Sequence, residues 1–532
     1  MKSYFSDVNW VKEGIMLFVF ALILGILYLG FLPALISWGF LFCLLVAAVI
    51  SWIIGFWIST IRYDDASPSN WLFGGIAALT AVFMLVAWIG SGALFNAKAH
   101  ANTFVPTQVE TQAEDIPSFD EVDRVALMDT ASAKKLGDRT LGSLSEYVSQ
   151  FDVSDAYTTI SYGGRVVKVA PLVHSSFFTA MKNDTIPGYV IVDCLTSEAK
   201  FVKVENGIKY SPSAYFAKDL VRHIRTKYST QLIGDYYNFQ LDEGGKPYWV
   251  VTVYDHAVWM SAKVPVGAIV VDATTGDMEL YSLENIPEWV EQVFDGDMVS
   301  MLYNRHGKYL NGSLNFSDEG KTQVTMDYGY VEKNGDIYIY TGVTSVAADE
   351  SNLGFIMVNS RTGECKYYPV AGAEEYSAMS AAEGVVQNYG YDASFPSLVM
   401  YDDIPTYVMV LKDSNGLVKK YAMVNMVNYT IVAVEDTLDQ CKQSYAKAMN
   451  GVGKDTVPEN AETVKKSIVI SSVNFITTNG ETVVYIKDTD GVCYKQSFAD
   501  DETLILLSVG QTVEVEYVAT DASIVPAKVH QK

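Results

Sequence analysis

Two long uncharged apolar stretches constrain this chain more than any other feature. Residues 14–60 and residues 71–95 contain no charged side chain. A membrane-spanning helix needs about 20 apolar residues, so the first stretch is long enough for two helices with a break near Gly30 to Pro33, and the second for one more. A signal peptide followed by core helices would have shorter runs and a small-residue cleavage site. We therefore predict three spans, at about residues 14–32, 36–60 and 71–95.

The few basic residues near these spans predict their orientation. Lys2 and Lys12 precede the first span, Arg62 lies in the second connection, and Lys98 follows the third span. Because basic residues are enriched on the cytoplasmic side, the N-terminus is expected in the cytoplasm and the C-terminal region outside the bacterial plasma membrane. We expect no ionisable residue within the spans, so the usual marker of an ion path is missing there.

Charge is distributed unevenly between the membrane region and the rest of the chain. Residues 1–100 hold four basic and four acidic side chains, so the net charge of −24 belongs to residues 101–532. Nucleic acid and anionic lipid surfaces both attract basic patches. The acidic exported region therefore predicts no nucleic-acid partner.

One sequence motif recurs in the exported region. In the stretch 267–281 an apolar strand ends at Asp272, a turn with Gly276 follows, and an alternating strand leaves the turn. Such corners favour Asp or Asn, whose side chains accept hydrogen bonds from the turn backbone, and Gly, which adopts positive φ without strain. We predict structural turn positions, with no catalytic role, at Asp193, Asp272, Gly276, Asn359, Gly363 and Asn425.

Helices and strands surround each copy in the same order. A helix is predicted from Ser211 as N-cap, with Phe216, Leu220, His223 and Ile224 on one face. Further short helices are predicted at 286–294, begun by Pro287, at 377–386 and at about 437–449, and hairpins turn at positions such as Asn334 and Gly335. The order of one helix followed by hairpins indicates α+β units with antiparallel sheets.

The recurring corner is similar to one found in PepSY-type domains. The resemblance rests on Val271-Asp272-Ala-Thr-Thr-Gly276-Asp277 and on Val358-Asn359-Ser-Arg-Thr-Gly363-Glu364, and it covers about residues 180–440. The chain as a whole also resembles a group of uncharacterised membrane-anchored proteins of Gram-positive bacteria that have such repeats. The resemblance implies an envelope location and in some relatives protease inhibition, and it brings no catalytic residue.

Residues 466–532 are predicted to form a different kind of unit from the α+β repeats, and they are the last unit in the predicted domain order. Strands between turn formers such as Asn479-Gly480 and Asp490-Gly491 predict a small β-barrel of OB or SH3 type. Residues 466–532 hold nine acidic and five basic side chains, which disfavours single-stranded nucleic acid and favours a packing or partner module. The predicted order is a membrane region 1–99, a stalk 100–120, a first α+β unit 121–210, a PepSY-like unit 211–300, a β-rich unit 301–375, a second PepSY-like unit 376–450, a linker 451–465 and the barrel 466–532.

Residues that could carry chemistry are scattered. No C-x-x-C, H-E-x-x-H or G-x-S-x-G pattern occurs, so no metal, cofactor or catalytic residue is predicted. Two histidine clusters are worth testing, Asp255-His256 and Asn304-Arg305-His306. The cysteines are interpreted as buried thiols, with a Cys194–Cys365 bridge as the alternative. The 34 tyrosines suit either sheet packing or a binding face.

The sequence thus predicts a membrane-anchored extracytoplasmic scaffold or binding protein of the cell envelope without enzymatic activity. Membrane lipid, contacted through three helices, and a protein in the membrane or envelope are the expected partners. An accessory subunit of a membrane transport or assembly complex is the first alternative, and a membrane-tethered hydrolase is the second.

Overall fold

The computed structural model describes residues 10–62, 68–109, 116–119, 121, 125–325, 327–346, 348–370, 372–453, 464–478, 481–498, 501–517 and 524–531. The chain divides into two compact units, Met1–Thr430 and Ile431–Lys532.

Three helices of the first unit are long and apolar enough to cross a membrane, as predicted. They are α1 (Trp10–Phe31), α2 (Trp38–Arg62) and α3 (Pro68–Ser91), and the predicted break after Gly30 lies between α1 and α2. Helix α1 begins four residues before the predicted span 14–32, so the helix includes Lys12 and Glu13, which lie outside that span. Buried Glu13 accepts a 2.8 Å hydrogen bond from the amide of Ser69, one of the unpaired N–H groups in the first turn of α3.

The segment after the third span does not form a free stalk where it is described. A short helix, α4 (Ala93–Ala101), follows the bend at Gly92, and Phe104 is buried in a hydrophobic core. Strand β1 (Thr107–Gln108) pairs in parallel with residues 366–367. Residues 110–115, which include part of the predicted stalk, lie outside the described residues. The connection is therefore attached to the folded part of the chain at several points.

The rest of the first unit repeats one pattern four times: a helix followed by an antiparallel sheet in which the long strands pair in chain order. Repeat 1 contains α5 (Thr130–Gly142), β2 (Phe151–Val153), β3 (Thr158–Tyr162), β4 (Arg165–His174), α6 (Phe177–Lys182), β5 (Ile186–Asp193) and β6 (Ala199–Ile208). Repeat 2 contains α7 (Leu220–Lys227), β7 (Leu232–Leu241), β8 (Pro247–Val258), β9 (Ser261–Asp272) and β10 (Met278–Ser282). Repeat 3 contains α8 (Gly296–Tyr309), β11 (Thr322–Val324), β12 (Gly329–Lys333), β13 (Asp336–Ser345), β14 (Ala348–Asn359) and β15 (Cys365–Tyr368). Repeat 4 contains α9 (Glu375–Val385), β16 (Asp392–Ala393), β17 (Ser397–Tyr401), β18 (Ile404–Lys412) and β19 (Val418–Asn425).

The first strand of the sheet is interrupted in every repeat. In repeats 1, 3 and 4 it consists of two pieces that both pair with the second strand. In repeat 2 it is the single strand β7, whose register shifts between Ile233 and Tyr237. An irregularity of this kind bends a strand and increases its twist. The repeats therefore share a structural detail that sequence periodicity does not show.

The repeats bury their apolar faces against each other. One core combines Ile160 and Val190 of repeat 1 with Trp249 and Ile269 of repeat 2. A second core combines other residues of repeat 2 with α8 and the sheet of repeat 3. A single helix and sheet cannot bury its apolar face alone, so neighbouring repeats complete each other's core.

Two predicted helices differ from the structure. Helix α7 begins at Leu220 with Asp219 as its N-cap, and a short 3-10 helix at Phe216–Lys218 precedes it, so Ser211 does not start a helix. Residues 286–294 form turns and irregular chain instead of a helix, and α8 begins at Gly296 with Asp295 as its N-cap. In both places the helix begins directly after an aspartate whose side chain accepts a hydrogen bond from the amide of the third helical residue.

The second unit contains a helix and six described strands, and the last five strands share a core of their own. Strand β20 (Val432–Glu435) precedes α10 (Leu438–Gly453), the helix predicted at about 437–449. Residues 454–463, most of the predicted linker, lie outside the described residues. The pairing order of the last five strands closes on itself. In that order the strands are β21 (Val464–Thr478), β22 (Glu481–Asp488), β23 (Cys493–Ser497), β25 (Ile524–Gln531) and β24 (Thr512–Tyr517).

Candidate functional site

The four predicted corners have the same hydrogen-bond geometry. In each, the side-chain Oδ1 accepts hydrogen bonds from the amides two and three residues further along the chain, at 2.7–3.0 Å. These acceptors belong to Asp193, Asp272, Asn359 and Asn425. Since a carboxylate and an amide oxygen accept equally well here, the position needs an acceptor and not a titrating group.

The residue four positions after the corner takes the left-handed conformation in three copies. Gly276 has φ +84°, Gly363 has φ +76°, and Ser197 has φ +60°. A Cβ on Gly276 would lie 2.4 Å from the ring of Tyr210, and one on Gly363 would lie 2.3 Å from the ring of Phe294. Glycine is therefore required at these two positions for both its backbone conformation and its lack of a side chain.

The segment before the helix closes onto the corner of its own repeat. The carbonyl of Ala273 accepts the amides of Lys209 and Tyr210. In the same way the carbonyl of Ser360 accepts the amides of Val293 and Phe294. These backbone contacts explain why Tyr210 and Phe294 pack directly on the two glycine turns.

In three of the four repeats, a charged residue beside the corner matches the Asp or Asn of that corner. The residue two positions before the corner's strand partner is Arg165 in repeat 1, Lys246 in repeat 2, Asp336 in repeat 3 and Ile404 in repeat 4. Arg165 and Lys246 form ion pairs with the corner aspartates. In repeat 3 the sign is reversed, and Asp336 accepts a 2.8 Å hydrogen bond from Nδ2 of Asn359.

The ion pairs lower the pKa values of the corner aspartates. Burial raises the pKa of Asp272, but the Lys246 ammonium and the hydrogen bonds from Thr274 and Thr275 outweigh burial and lower it to about 2. The pKa of Asp193 is also lowered, because its amide donors and Arg165 outweigh burial. The corner aspartates are ionised near neutral pH and are engaged on both oxygens.

An acidic cleft of about 580 Å³ lies beside the third corner. The irregular segment with Glu288, Trp289 and Glu291 contributes to its wall, and so do Asp336 and Arg361. Its residues come from five segments that lie far apart in the chain, so residue spacing could not predict it. The aromatic ring and the acidic rim form a polar concave surface of the size of a small-ligand site.

Glu291 is the buried acid of this cleft. Burial raises the pKa of Glu291 to about 8, although the amide of Ser161 donates to its Oε2 and opposes the shift. The neighbouring carboxylate of Asp336 is held by Asn359 and by the guanidinium of Arg361 at 2.6–3.0 Å. Glycoside hydrolysis needs a proton donor and an ionised carboxylate that both face the substrate. In this cleft, Glu291 and Asp336 both accept hydrogen bonds from other groups of the protein.

A rigid junction joins repeat 2 to the ends of the membrane helices. Arg222 donates to the carbonyl of Leu29 at 2.8 Å, and Nε of Arg225 donates to that of Leu32 at 3.0 Å. Three more hydrogen bonds complete the junction: Leu35 N to Ser229 O at 3.1 Å, Trp38 Nε1 to Met260 O at 2.7 Å and Ser261 Oγ to Ser91 O at 2.8 Å. The connection between α1 and α2 and the end of α3 therefore lie on the same side as the repeats.

A cavity of about 490 Å³ lies within this junction. Residues 30–34 and 37–39 form one wall, and Arg222, Arg225, His256 and Lys263 line the other. Both ring nitrogens of His256 are buried and have no hydrogen-bond partner among the residues that the structure describes. Burial lowers the pKa of His256. The predicted Asp255-His256 cluster thus places its histidine at a cavity, while Oδ1 of Asp255 accepts the amide of His256 itself.

The other histidines named from the sequence have structural hydrogen bonds. In the second predicted cluster, Arg305 donates to the carbonyl of Lys263, and Nδ1 of His306 lies 2.8 Å from the carbonyl of Ala101. Nε2 of His223 lies 2.7 Å from the carbonyl of Gly276. Within the described part of the chain, no three His, Cys, Asp or Glu side chains are grouped to hold a metal ion.

Cysteines and tyrosines serve mainly in packing. No disulfide joins the five cysteines, so Cys194 and Cys365 do not form the alternative bridge, and both thiols are buried. They belong to different hydrophobic cores. The largest fully buried side chains include six tyrosines, namely Tyr189, Tyr340, Tyr368, Tyr407, Tyr445 and Tyr494. These six pack in cores and do not form an exposed binding face.

Comparisons with known proteins add little to this geometry. No family model and no curated protein matches the chain. A B. megaterium levansucrase mutant is 10% identical with a TM-score of 0.20, covering 79% of this chain and 98% of its own. A Bacillus subtilis levansucrase mutant is 11% identical with a TM-score of 0.19, covering 80% and 98%. An ancestral GH74 enzyme is 11% identical with a TM-score of 0.16, covering 65% and 42%. Likeness at this level carries no argument about fold or function.

Proposed function

We propose that this protein is a membrane-anchored extracytoplasmic binding or scaffold protein of the bacterial cell envelope. The observation that carries the proposal is the junction, in which Arg222, Arg225 and Trp38 fix repeat 2 to the ends of α1 and α2. A flexible tether would be enough to keep an enzyme near a membrane, whereas a fixed junction holds a binding surface at a defined height and orientation. The partner would be another protein of the membrane or envelope.

The orientation belongs to the same proposal. With three spans, the N-terminus and the repeats would lie on opposite sides of the membrane, and Lys2 and Lys12 favour a cytoplasmic N-terminus. The repeats are then extracytoplasmic. We assign them to the PepSY-like class because each has a helix followed by antiparallel strands, and corners 2 and 3 carry the Asx-x-x-Thr-Gly turn.

The last five strands are proposed as an OB- or SH3-like partner module. Their pairing order closes on itself, as in small barrels of these classes. The acidic excess in residues 466–532 favours a protein partner over nucleic acid.

Extraction of the full-length chain in mild detergent tests the proposal. A tagged protein should retain a stoichiometric partner, which photo-crosslinkers placed on the exposed faces of the repeats should capture. Capture only from exposed membrane-helix positions such as Phe83 and Trp88 would favour the alternative, an accessory subunit of a transport or assembly complex. Isolation without any partner under both conditions would overturn the scaffold proposal.

The hydrolase alternative rests on Glu291, whose pKa of about 8 suits a proton donor at neutral pH. We expect the purified full-length protein to show no turnover of peptides, glycans or phosphoesters. Hydrolysis that disappears in Glu291→Gln, and persists in the matched variant Glu284→Gln at an exposed position outside the cleft, would establish an enzyme instead.

A further inference from the structure

The junction cavity is more basic than the rest of this acidic protein. Arg222, Arg225 and Lys263 contribute three positive charges to its wall, and Asp219 contributes one negative charge, so the lining carries a net charge of +2 with His256 neutral. The whole chain carries −24. A local concentration of cations within an acidic protein creates a positive potential at that point, even though the net charge repels anions at a distance.

The polar groups of the cavity are arranged as hydrogen-bond donors. Arg222 gives one N–H to the carbonyl of Leu29, and Arg225 gives its Nε and Nη1 groups to backbone carbonyls. A guanidinium has five N–H donors, so each arginine has further donors at the cavity wall. Oδ1 of Asp219 accepts the amide of Arg222 as the N-cap of α7. The acid in the lining is therefore already engaged by the protein.

His256 provides a second and independent sign of a missing ligand. Its ring nitrogens are buried without a partner, which is uncommon because buried polar atoms are nearly always hydrogen-bonded. A neutral imidazole has one N–H donor and one acceptor. Because both nitrogens are closed off from the cavity, the imidazole must turn towards the cavity before an acceptor group there can satisfy the unpaired donor.

The position of the cavity indicates the source of such a ligand. One wall is the connection between α1 and α2, where the apolar helix ends at Phe31 and the next begins at Trp38. Tryptophan is enriched at the level of lipid headgroups, and Trp38 donates its indole N–H to Met260 at this level. In a membrane crossed by α1 and α2, this connection and the cavity beside it would lie at the level of the lipid headgroups.

We propose that the junction cavity binds the phosphate group of an anionic headgroup, held by the guanidinium groups of Arg222 and Arg225, the ammonium of Lys263 and one N–H of His256. A volume of about 490 Å³ is within the usual range for a small-ligand site. A zwitterionic headgroup binds less well, because its cationic end meets the same positive wall. The site differs from the partner surface proposed above, since it needs only lipid or a soluble phosphate compound.

The site can be tested on the purified full-length protein in a detergent without phosphate. Short-chain phosphatidylglycerol, short-chain phosphatidylcholine, glycerol phosphate and inorganic phosphate are titrated, and binding is measured by microscale thermophoresis. Lys263→Met and His256→Leu are the informative variants, because neither side chain caps a membrane helix. Lys203→Met removes the same charge from an exposed position on β6, outside the cavity, and is the matched control.

We expect phosphatidylglycerol to bind wild type and Lys203→Met alike and to bind Lys263→Met about ten-fold more weakly, as for loss of a charge-assisted hydrogen bond. His256→Leu should also bind more weakly, and phosphatidylcholine should bind every variant poorly. Inorganic phosphate or glycerol phosphate that competes as strongly as the lipid would support the phosphate site and assign it to a soluble compound. Equal affinity in wild type, Lys263→Met and His256→Leu would overturn the proposal, and so would an equal loss in Lys203→Met.

Discussion

At the scale of single residues, the two side-chain atoms of each corner Asp or Asn have different roles. The Oδ1 atom supports the turn in all four copies, whereas the second side-chain atom follows the charge of the residue beside it. The corner residue is Asp beside Arg165 in repeat 1, Asp beside Lys246 in repeat 2, and Asn beside Asp336 in repeat 3. The exchange between acid and amide therefore reflects a local charge match, which the motif alone did not reveal.

The charge match changes what is expected of Asp272→Asn. From the corner motif alone a hydrogen-bonding role predicts a cost within about 1 kcal/mol. The ion pair with Lys246 and the pKa of about 2 raise the expected loss of unfolding free energy to about 1–2 kcal/mol at pH 7. Because the pKa of the folded state is lowered, this contribution is present above about pH 4 and is lost as the pH falls towards 2.

Denaturant unfolding of the full-length protein at pH 7 and at low pH measures this effect. Asp277→Asn, an exposed neighbour in the same turn, should have little effect at either pH. An equal loss of stability at pH 7 in both variants would contradict the ion-pair account.

Gly363→Val should destabilise the fold more than Gly335→Val. Both glycines have positive φ, +76° and +86°, so valine suffers similar backbone strain of about 1–3 kcal/mol at either position. Only Gly363 has a ring against it, because the added Cβ would lie 2.3 Å from Phe294, while nothing lies within 4 Å at Gly335. Thermal melts that show equal losses would mean that Phe294 can move away at little cost, and Gly276→Val against Tyr210 repeats the comparison in repeat 2.

Glu291 should make the protein less stable as the pH rises. Its folded pKa of about 8 lies above the ordinary value of 4.5, so the folded state retains a proton that the unfolded state loses between these values. Its contribution to stability therefore falls by about 2–4 kcal/mol between pH 4.5 and pH 8. Glu291→Gln should melt at a higher temperature than wild type at pH 8 and at a similar temperature at pH 5. A Glu291→Gln melt no higher than that of Glu288→Gln at pH 8 would contradict this.

At the scale of elements, local signals predicted well and long-range contacts did not. Span lengths, the Asn334-Gly335 hairpin and the corners depend on neighbouring residues, and the sequence identified them. The start of α7 depends on Asp219, and the irregular path of 286–294 depends on burial of Val290, Val293 and Phe294 against other elements. Pro287 and the apolar spacing of residues 286–294 are equally compatible with a helix and with this irregular path, so the sequence alone does not distinguish the two conformations.

The two cavities illustrate the same limit. The acidic cleft and the junction cavity are each assembled from side chains that lie far apart in the sequence. His256 was recognised only as a polar cluster with Asp255, and its unpaired ring nitrogens depend on what surrounds it. Likewise, the negative net charge of the chain argued against an anionic lipid partner. The junction cavity is a local exception, because Arg222, Arg225 and Lys263 all line it.

At the scale of the whole molecule, topology is the decisive test. Protease added to intact spheroplasts should digest the repeats and spare an epitope tag at Met1, because an odd number of spans separates them. After the membrane is permeabilised, the tag should also become accessible. Protection of the repeats together with digestion of the tag would place the repeats in the cytoplasm and contradict the envelope location.

The junction also has a mechanical consequence. Its acceptors on α1, the connection to α2 and the end of α3 are main-chain carbonyls, so the helices can exchange one apolar side chain for another without breaking the contact. The same bonds prevent the helices from tilting independently of repeat 2. Spanning helices tilt when the hydrocarbon layer becomes thinner, and repeat 2 must then tilt with them. A thinner bilayer would therefore change the angle at which repeat 2 projects from the membrane.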